Sequence, residues 1–298
     1  MPLVECVPNF SEGRRQKIVD QIVKAIEKGG KITLLDSRCD PDHNRAVITF
    51  IGEPEECVKA AFAGCKKAAE LIDMDEHEGE HNRFGATDVV PFIPISDITL
   101  EECVELADKL AERIGKELKI PTYLYGAAAK VPEREVLQKF RTKSFQYEQL
   151  KEAIGTDPAY EPDYGPKELT KAGAINIGAR QFLIAYNIYL DTDDMEIAKE
   201  IARNIRFSGG GLRHIQAGAM NIEERGCVQV SMNITDFKST PIHRVFDMAK
   251  REAQRFGVNV TESEIYGMLP IDALLDAAEY YLQLNKFDRK QVIEKRLY

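Results

Sequence analysis

The chain predicts an α+β protein of two ferredoxin-like (βαββαβ) subdomains with a ligand groove between them. Three observations carry that prediction. Apolar residues recur at helical spacing over several long stretches, short β-branched runs lie between those stretches, and the order of elements in the first half repeats in the second.

Taken in order, Leu3 to Val7 reads as a short apolar strand. Asn9-Phe10-Ser11-Glu12-Gly13 then turns into a helix over about 14–28, with Ile18, Ile22, Val23 and Ile26 at helical spacing and Gly29-Gly30 as its stop. Lys31 to Asp36 and Arg45 to Ile51 are β-branched strands around the turn Asp40-Pro41-Asp42-His43-Asn44. A helix over about 54–72 and the strand 89–95 close a first βαββαβ unit, to which a helix (99–118) and a strand (Pro121 to Tyr125) are appended. The connection 126–172 carries helical hints at 133–140 and 146–154 and is the natural place for a functional loop.

The second half begins with one long strand region, Ile175 to Leu190, and a helix over 193–206. Leu212 to Ile222 and Val228 to Thr235 read as a hairpin around Glu224-Arg225-Gly226. A helix from Pro241 to Phe256 is capped by Thr240 with Pro241 at its first position. A strand, Val258 to Tyr266, and a helix, Pro270 to Leu284, finish the unit, so the expected subdomains are 1–174 and 175–298. The cleft between two such units is the default ligand site.

Charge and cysteine usage narrow the function classes. A net charge of −9 argues against general nucleic-acid binding, which needs a basic face. Anionic small substrates stay open, because a few local arginines can focus a positive field. There is no run of 18 apolar residues, and Met1-Pro2-Leu3-Val4 lacks a signal-peptide pattern, so the expectation is a cytoplasmic protein without membrane contact. The six cysteines form no C-x-x-C pair and read as reduced core residues.

Residues 77–81, His-Glu-Gly-Glu-His, match the H-E-x-x-H pattern of zinc peptidases. That chemistry needs both histidines on one helical face. Gly79 sits between them, Gly85 turns the chain, and Val89-Val90-Pro91-Phe92-Ile93-Pro94-Ile95 reads as a strand. The other histidines, His43, His214 and His243, are remote in sequence. No metal is therefore expected, and a zinc hydrolase through His77, Glu78 and His81 is a rival reading.

Five strings together resemble the glutamate formimidoyltransferase (formiminotransferase) family. They are Glu5-Cys6-Val7-Pro8-Asn9-Phe10-Ser11-Glu12-Gly13, Gly79-Glu80-His81-Asn82-Arg83-Phe84-Gly85-Ala86-Thr87-Asp88, Tyr123-Leu124-Tyr125-Gly126, Pro162-Asp163-Tyr164-Gly165-Pro166, and Gly178-Ala179-Arg180-Gln181-Phe182-Leu183-Ile184-Ala185-Tyr186-Asn187. A sixth, Gly267-Met268-Leu269-Pro270 with Ala273-Leu274-Leu275-Asp276-Ala277-Ala278, extends the likeness almost to the C-terminus. The resemblance implies transfer of the formimino group of N-formimidoyl-L-glutamate to N5 of tetrahydrofolate, giving 5-formimidoyltetrahydrofolate and glutamate. Vertebrate versions carry a fused cyclodeaminase domain, whereas this chain is expected to be the transferase alone. Tetrahydrofolate is then a co-substrate, and a homodimer is the expected assembly.

The resemblance also places residues. The family's acid–base histidine falls on His81, whose bland alternative is a turn cap. N5 must lose a proton as it attacks and the glutamate nitrogen must gain one to leave, work that suits a histidine. The family's folate-contacting loop falls on Gly165, Pro166, Lys167, Glu168, Leu169, Thr170, Lys171, Ala172 and Gly173. It is one residue shorter than in vertebrate relatives and lacks their tryptophan. Asn44-Arg45 match the family's Asn-Arg pair.

The remaining polar residues are read by chemistry. Asn9 and Ser11 stand where a strand passes into a helix, as anion binders or as simple N-caps. Arg45, Arg83 and Arg180 suit bidentate pairing with substrate carboxylates, the alternative being solvated surface arginines. Asp88 suits orienting His81, binding the cationic amidine, or capping a strand. Gly209-Gly210-Gly211 lacks the lysine of a P-loop and reads as a helix stop. Two further rivals are another one-carbon donor such as N-formyl-L-glutamate (with 5-formyltetrahydrofolate as product) and a non-catalytic folate-binding module.

Overall fold

The computed structural model describes residues 1–41, 43–79, 81–142 and 144–296. Asp42 of the expected turn, Glu80 of the shared string and the last two residues of the expected second subdomain lie outside them. The chain is a mixed α+β protein with two sheets and, among the described residues, eight helices. It divides into compact units at Met1–Arg180 and Gln181–Tyr298.

The first unit begins with a strand broken in two, β1 (Leu3–Cys6) and β2 (Asn9–Phe10). Pro8 at the break has no N–H for a ladder. Next come α1 (Gln16–Gly29), β3 (Ile32–Asp40), β4 (Arg45–Gly52), α2 (Pro54–Leu71), β5 (Thr87–Ser96), α3 (Leu100–Glu117) and β6 (Thr122–Gly126). The connection after β6 holds two short helices, α4 (Leu137–Phe140) and α5 (Tyr147–Ala153), before β7 (Ile175–Ala179). The sheet runs β3-β4-β1/β2-β5-β7-β6, antiparallel as far as β5 and parallel across β7.

Helix positions follow from local chemistry. Pro54 opens α2, where a missing N–H costs nothing. Thr99 and Glu102 form a capping box that starts α3. Ile22 and Ile26 of α1, Val58 and Cys65 of α2, and Leu110 and Ile114 of α3 pack on Val4, Phe10, Ile48, Phe50, Val90 and Phe92 of the sheet. A second cluster, Phe84, Tyr123, Phe140, Leu150, Ile154 and Ala174, ties the 126–172 connection to the segment just before β5.

The second unit contains β8 (Ile184–Leu190), α6 (Met195–Ile205), β9 (Ile215–Ile222), β10 (Cys227–Ile234), α7 (Ile242–Arg255), β11 (Val260–Tyr266) and α8 (Ile271–Leu282). Its four strands run β11-β8-β10-β9, all antiparallel. Ile201 and Ile205 of α6 and Val245 and Ala249 of α7 share a core with Ile188, Val230 and Met232. The β9–β10 turn is a short 3-10 segment, Glu223–Arg225, closed by Gly226 at φ +59°.

Four expectations change. The single strand region 175–190 is two strands: β7 pairs in parallel with β5 and β6 of the first sheet, whereas β8 starts the second. Residues 175–180 therefore lie with the first unit rather than in a subdomain starting at 175. Apolar composition alone could not reveal which sheet each half joins. Thr240 does not cap α7, because its hydroxyl donates to Arg213 O at 2.6 Å and Pro241 occupies the cap position. Asn9 and Ser11 do not cap α1, which starts six residues or so later with Glu12 accepting from the Arg14 and Arg15 amides at 3.0 and 2.8 Å. The chain's own carboxylate fills the anion position there.

Candidate active site

The turn between β3 and β4, the segment 73–86 before β5 and the loop after α4 converge within the first unit. Gly13 and Gly79 make this possible. A Cβ on Gly13 would stand 2.2 Å from Asp40 O and 2.5 Å from Arg45 N, and one on Gly79 would stand 2.6 Å from His43 O. Asn44, at φ +48°, ties its turn to the segment before α1 and to the segment before β5: its Oδ1 accepts from Gly13 N at 2.9 Å and its Nδ2 donates to Glu78 O at 2.8 Å. Its side chain is thus a structural clamp.

Arg45, at the start of β4, stands at the centre. Its Nε and Nη2 donate to Asn9 Oδ1 at 3.0 and 2.7 Å, and its Nη1 faces Asp88 Oδ2 at 2.8 Å and His81 Nδ1 at 2.5 Å. Asp88 is fully buried near the start of β5. Its Oδ1 accepts from Phe84 N at 3.1 Å, and its Oδ2 also accepts from Arg141 Nη1. The same Arg141 nitrogen donates to Asn82 O at 2.7 Å, and Asn176 Nδ2 donates to Asp88 O at 3.0 Å. Asn9, Arg45, His81 and Asp88, four of the expected residues, thus form one network, with Arg141 as an unexpected fifth member.

The electrostatics are set by burial and by two cations on one carboxylate. Burial pushes Asp88 up, but Arg141 and Arg45 outweigh it and hold its carboxyl below the usual range. Burial pulls Arg45 down to about 10, partly offset by Asp88. Burial first and the Arg45 charge second pull His81 down to about 3. His81 is therefore a neutral imidazole at physiological pH. No described residue hydrogen-bonds its Nε2, whereas Nδ1 faces Arg45 and, at 2.6 Å, Asn82 O.

Arg180, at the end of β7, belongs to the same neighbourhood. Its charge acts on Glu5, which burial pushes up, and on the buried Tyr125, which also feels Arg141 and Asp88. Arg83 behaves differently from the expected substrate ligand. Its five N–H groups go to His77 Nδ1 (3.2 Å), His77 O, Gln146 Oε1 and both oxygens of Glu148. No donor remains for a substrate carboxylate. Ser11 Oγ donates to Gly85 O at 2.8 Å, again a structural contact.

The zinc pattern loses its geometric basis. No helix covers the described part of 77–81, which lies between α2 and β5. Both ring nitrogens of His77 are engaged: Nε2 donates to Asn44 O at 3.2 Å and Nδ1 accepts from Arg83. Among the described residues, no three His, Cys, Asp or Glu side chains group as metal ligands. Nor is any described helix long and apolar enough to cross a membrane.

The loop 165–173 runs against the same segment. Ala86 N donates to Ala172 O (2.9 Å), Ala174 N to Phe84 O (3.0 Å), and Met74 N to Lys171 O (2.8 Å). Gly173, at φ +69°, sits where a Cβ would be 2.2 Å from Phe84 O. The loop therefore ends beside Phe84 and Gly85, whose neighbour Asp88 holds the His81 network. Its first half is largely exposed, with Lys167 paired to Glu161.

Sequence reasoning missed Arg141, Tyr125 and His43. Tyr125 stood inside a shared string, where its place beside Tyr123 was the available signal. Arg141 lies in the irregular connection with no periodicity to mark it. His43 was set aside as remote in sequence, yet its ring centre is 6.4 Å from that of His81.

Comparison with known proteins agrees with this architecture. Residues 3–180 match the Formiminotransferase domain, N-terminal subdomain, and residues 185–296 match the Formiminotransferase domain. The chain is 52% identical over 297 residues to glutamate formimidoyltransferase of Thermoplasma acidophilum, covering 100% of this chain and 98% of that protein. It is 46% identical to glutamate formimidoyltransferase of Streptococcus pyogenes serotype M1, with 99% and 98% covered. Against formimidoyltransferase-cyclodeaminase of Mus musculus it is 43% identical and spans 53% of that longer protein. With both halves matched in order, the chain belongs to the formiminotransferase family.

Proposed function

We propose that the protein transfers the formimino group of N-formimidoyl-L-glutamate to N5 of tetrahydrofolate, with His81 as the group that moves the proton. Identity over almost the full length of two glutamate formimidoyltransferases supports the reaction. The single observation supporting the residue is a neutral, half-buried histidine whose Nε2 no described residue hydrogen-bonds, in the same network as Arg45 and a buried carboxylate. N5 attacks the formimino carbon and forms the new C–N bond, and its proton passes to His81 Nε2 in the tautomer whose Nδ1–H donates to Asn82 O. The bond to the glutamate nitrogen then breaks with its electron pair on nitrogen, which gains a proton. In the simplest scheme His81 returns the one it took.

The same reading assigns the folate to the loop 165–173 and the substrate carboxylates to cations near the network. Lys171 and Arg180, whose charge acts on the buried Tyr125 beside the network, are assigned that task, whereas Arg83 has all its donors used. Asp88 serves to orient Arg45 and His81. Two ferredoxin-like subdomains, a ligand groove between them, a homodimer and a cytoplasmic location complete the proposal. A donor screen tests it: N-formimidoyl-L-glutamate and N-formyl-L-glutamate are each offered with tetrahydrofolate, and the folate product is followed by absorbance. Turnover with the formimino donor is expected; turnover with the formyl donor alone would replace this reading.

A further inference from the structure

The turn that carries Asn44 and Arg45 also carries a second histidine. His43 Nδ1 lies 2.7 Å from Asp40 Oδ2, and the His43 amide donates to Asp40 Oδ1 at 3.0 Å. One carboxylate thus grips both the backbone and the ring. A ring held at Nδ1 by a carboxylate presents Nε2 as its exchangeable nitrogen, the arrangement that histidines use when they exchange protons with a ligand. The ring stands edge-on to His81, with centres 6.4 Å apart and planes at 64°. Its side chain is 38% exposed, so it can reload from water, whereas His81 is more enclosed.

Reaction geometry gives the pair a meaning. N5 and the departing glutamate nitrogen are bonded to the same carbon in the intermediate, roughly 2.4 Å apart across two single C–N bonds. One nitrogen must lose a proton while the other gains one. Two imidazoles at this spacing can each reach one of those nitrogens through a hydrogen bond of about 2.9 Å. Resting on the assignment of His81 to the N5 proton, we propose that His43, oriented by Asp40, is the general acid that delivers a proton to the departing glutamate nitrogen. The proton on N5 goes to His81 Nε2, and the His43 proton goes to the glutamate nitrogen as its bond to carbon breaks. Exchange with water through the exposed His43 ring then restores both.

Gly79 admits the backbone of His43 against the segment leading to His81, and Asn44 in its left-handed conformation turns the chain between His43 and Arg45. The test uses the full chain and four variants, His43→Ala, His43→Gln, Asp40→Asn and His81→Asn. The expected result is a fall in kcat of about 10²-fold for both His43 variants with KM within about twofold, and a smaller fall for Asp40→Asn. Added imidazole should restore His43→Ala by about 10-fold while leaving His43→Gln unchanged, which a purely structural role would not produce. Thermal melts identify any variant that fails to fold, and His43→Gln, which keeps the side-chain volume, then carries the test. Unchanged kcat, or a loss that imidazole does not touch, overturns the proposal. If His81→Asn is inactive while the His43 variants are fully active, only the His43 role fails; an active His81→Asn removes the assignment on which it rests.

Discussion

Arg45 Nη1 lies 2.5 Å from His81 Nδ1, and the carbonyl oxygen of Asn82 lies 2.6 Å from the same nitrogen. Arginine only donates and a carbonyl only accepts, so Nδ1 can satisfy one of them at a time. With the ring proton on Nε2 it accepts from Arg45, and with the proton on Nδ1 it donates to Asn82. Nε2 correspondingly changes from donor to acceptor. The choice of tautomer, rather than a resident positive charge, sets what His81 offers to a ligand.

Replacing Arg45 with Gln should release His81 from the neighbouring cation. The His81 titration, held down to about 3 in the wild type, should move upward by about a unit or more. Imidazole proton shifts in an NMR titration report this directly. An unmoved His81 would mean that burial alone depresses it.

His81→Ala is expected to lower kcat by roughly 10²–10⁴-fold with folate affinity nearly intact. His77→Ala should keep most of the activity, because its nitrogens serve Asn44 and Arg83, yet lose about 1 kcal/mol of stability with those two bonds. Steady-state rates and calorimetric folate binding separate the two effects.

Asp88→Asn should be the most damaging single change for the fold of this site. It leaves Arg45 and Arg141 buried without their shared carboxylate, at a cost of about 3–5 kcal/mol. Urea unfolding at neutral pH measures the loss. A shift under 1 kcal/mol, on the scale of an exposed ion pair, would show that the pairing is unimportant.

Stability should begin to fall on acidification above the ordinary carboxylate range. His81 and His77 are both depressed in the folded chain, chiefly by burial. The unfolded chain therefore takes up protons below about 6.5 that the folded chain refuses. The stabilisation is complete above that pH and drains away as pH falls toward 3, the folded value of His81. Asp88, depressed in the folded chain, adds its own loss as pH falls through the ordinary carboxylate range, where the unfolded chain takes up its proton first. Comparing urea midpoints of the wild type and His81→Asn at pH 7 and pH 5 checks the sign, because the variant should lose less.

Gly173→Ala should disable the 165–173 loop. At φ +69°, with a Cβ placed 2.2 Å from Phe84 O, any side chain forces the loop off the 84–86 segment. The expected outcome is a KM for tetrahydrofolate raised at least about tenfold, with a smaller effect on kcat. A variant with normal KM would detach this loop from folate binding.

Local periodicity made the elements legible: Ile22 and Ile26, Leu110 and Ile114, and Ile201 and Ile205 repeat at helical spacing and do face their cores. Strings such as Gly79-Glu80-His81 and Gly178-Ala179-Arg180 carried the family and its reaction, because residue identity in register is information that the chain holds locally. Sheet membership was not legible. β7 and β8 are successive apolar runs, and only long-range pairing sends one to β5 and β6 and the other to β10. The partners of charged side chains were likewise decided in three dimensions. Arg83 is used by Glu148 and His77, and Arg141 joins Asp88 from 53 residues away. His43 meets His81 because Gly79 and Asn44 fold two segments together. A side chain's reach is fixed by its type, but what lies within that reach depends on contacts between residues far apart in the chain, and those exist only once the sheet has formed.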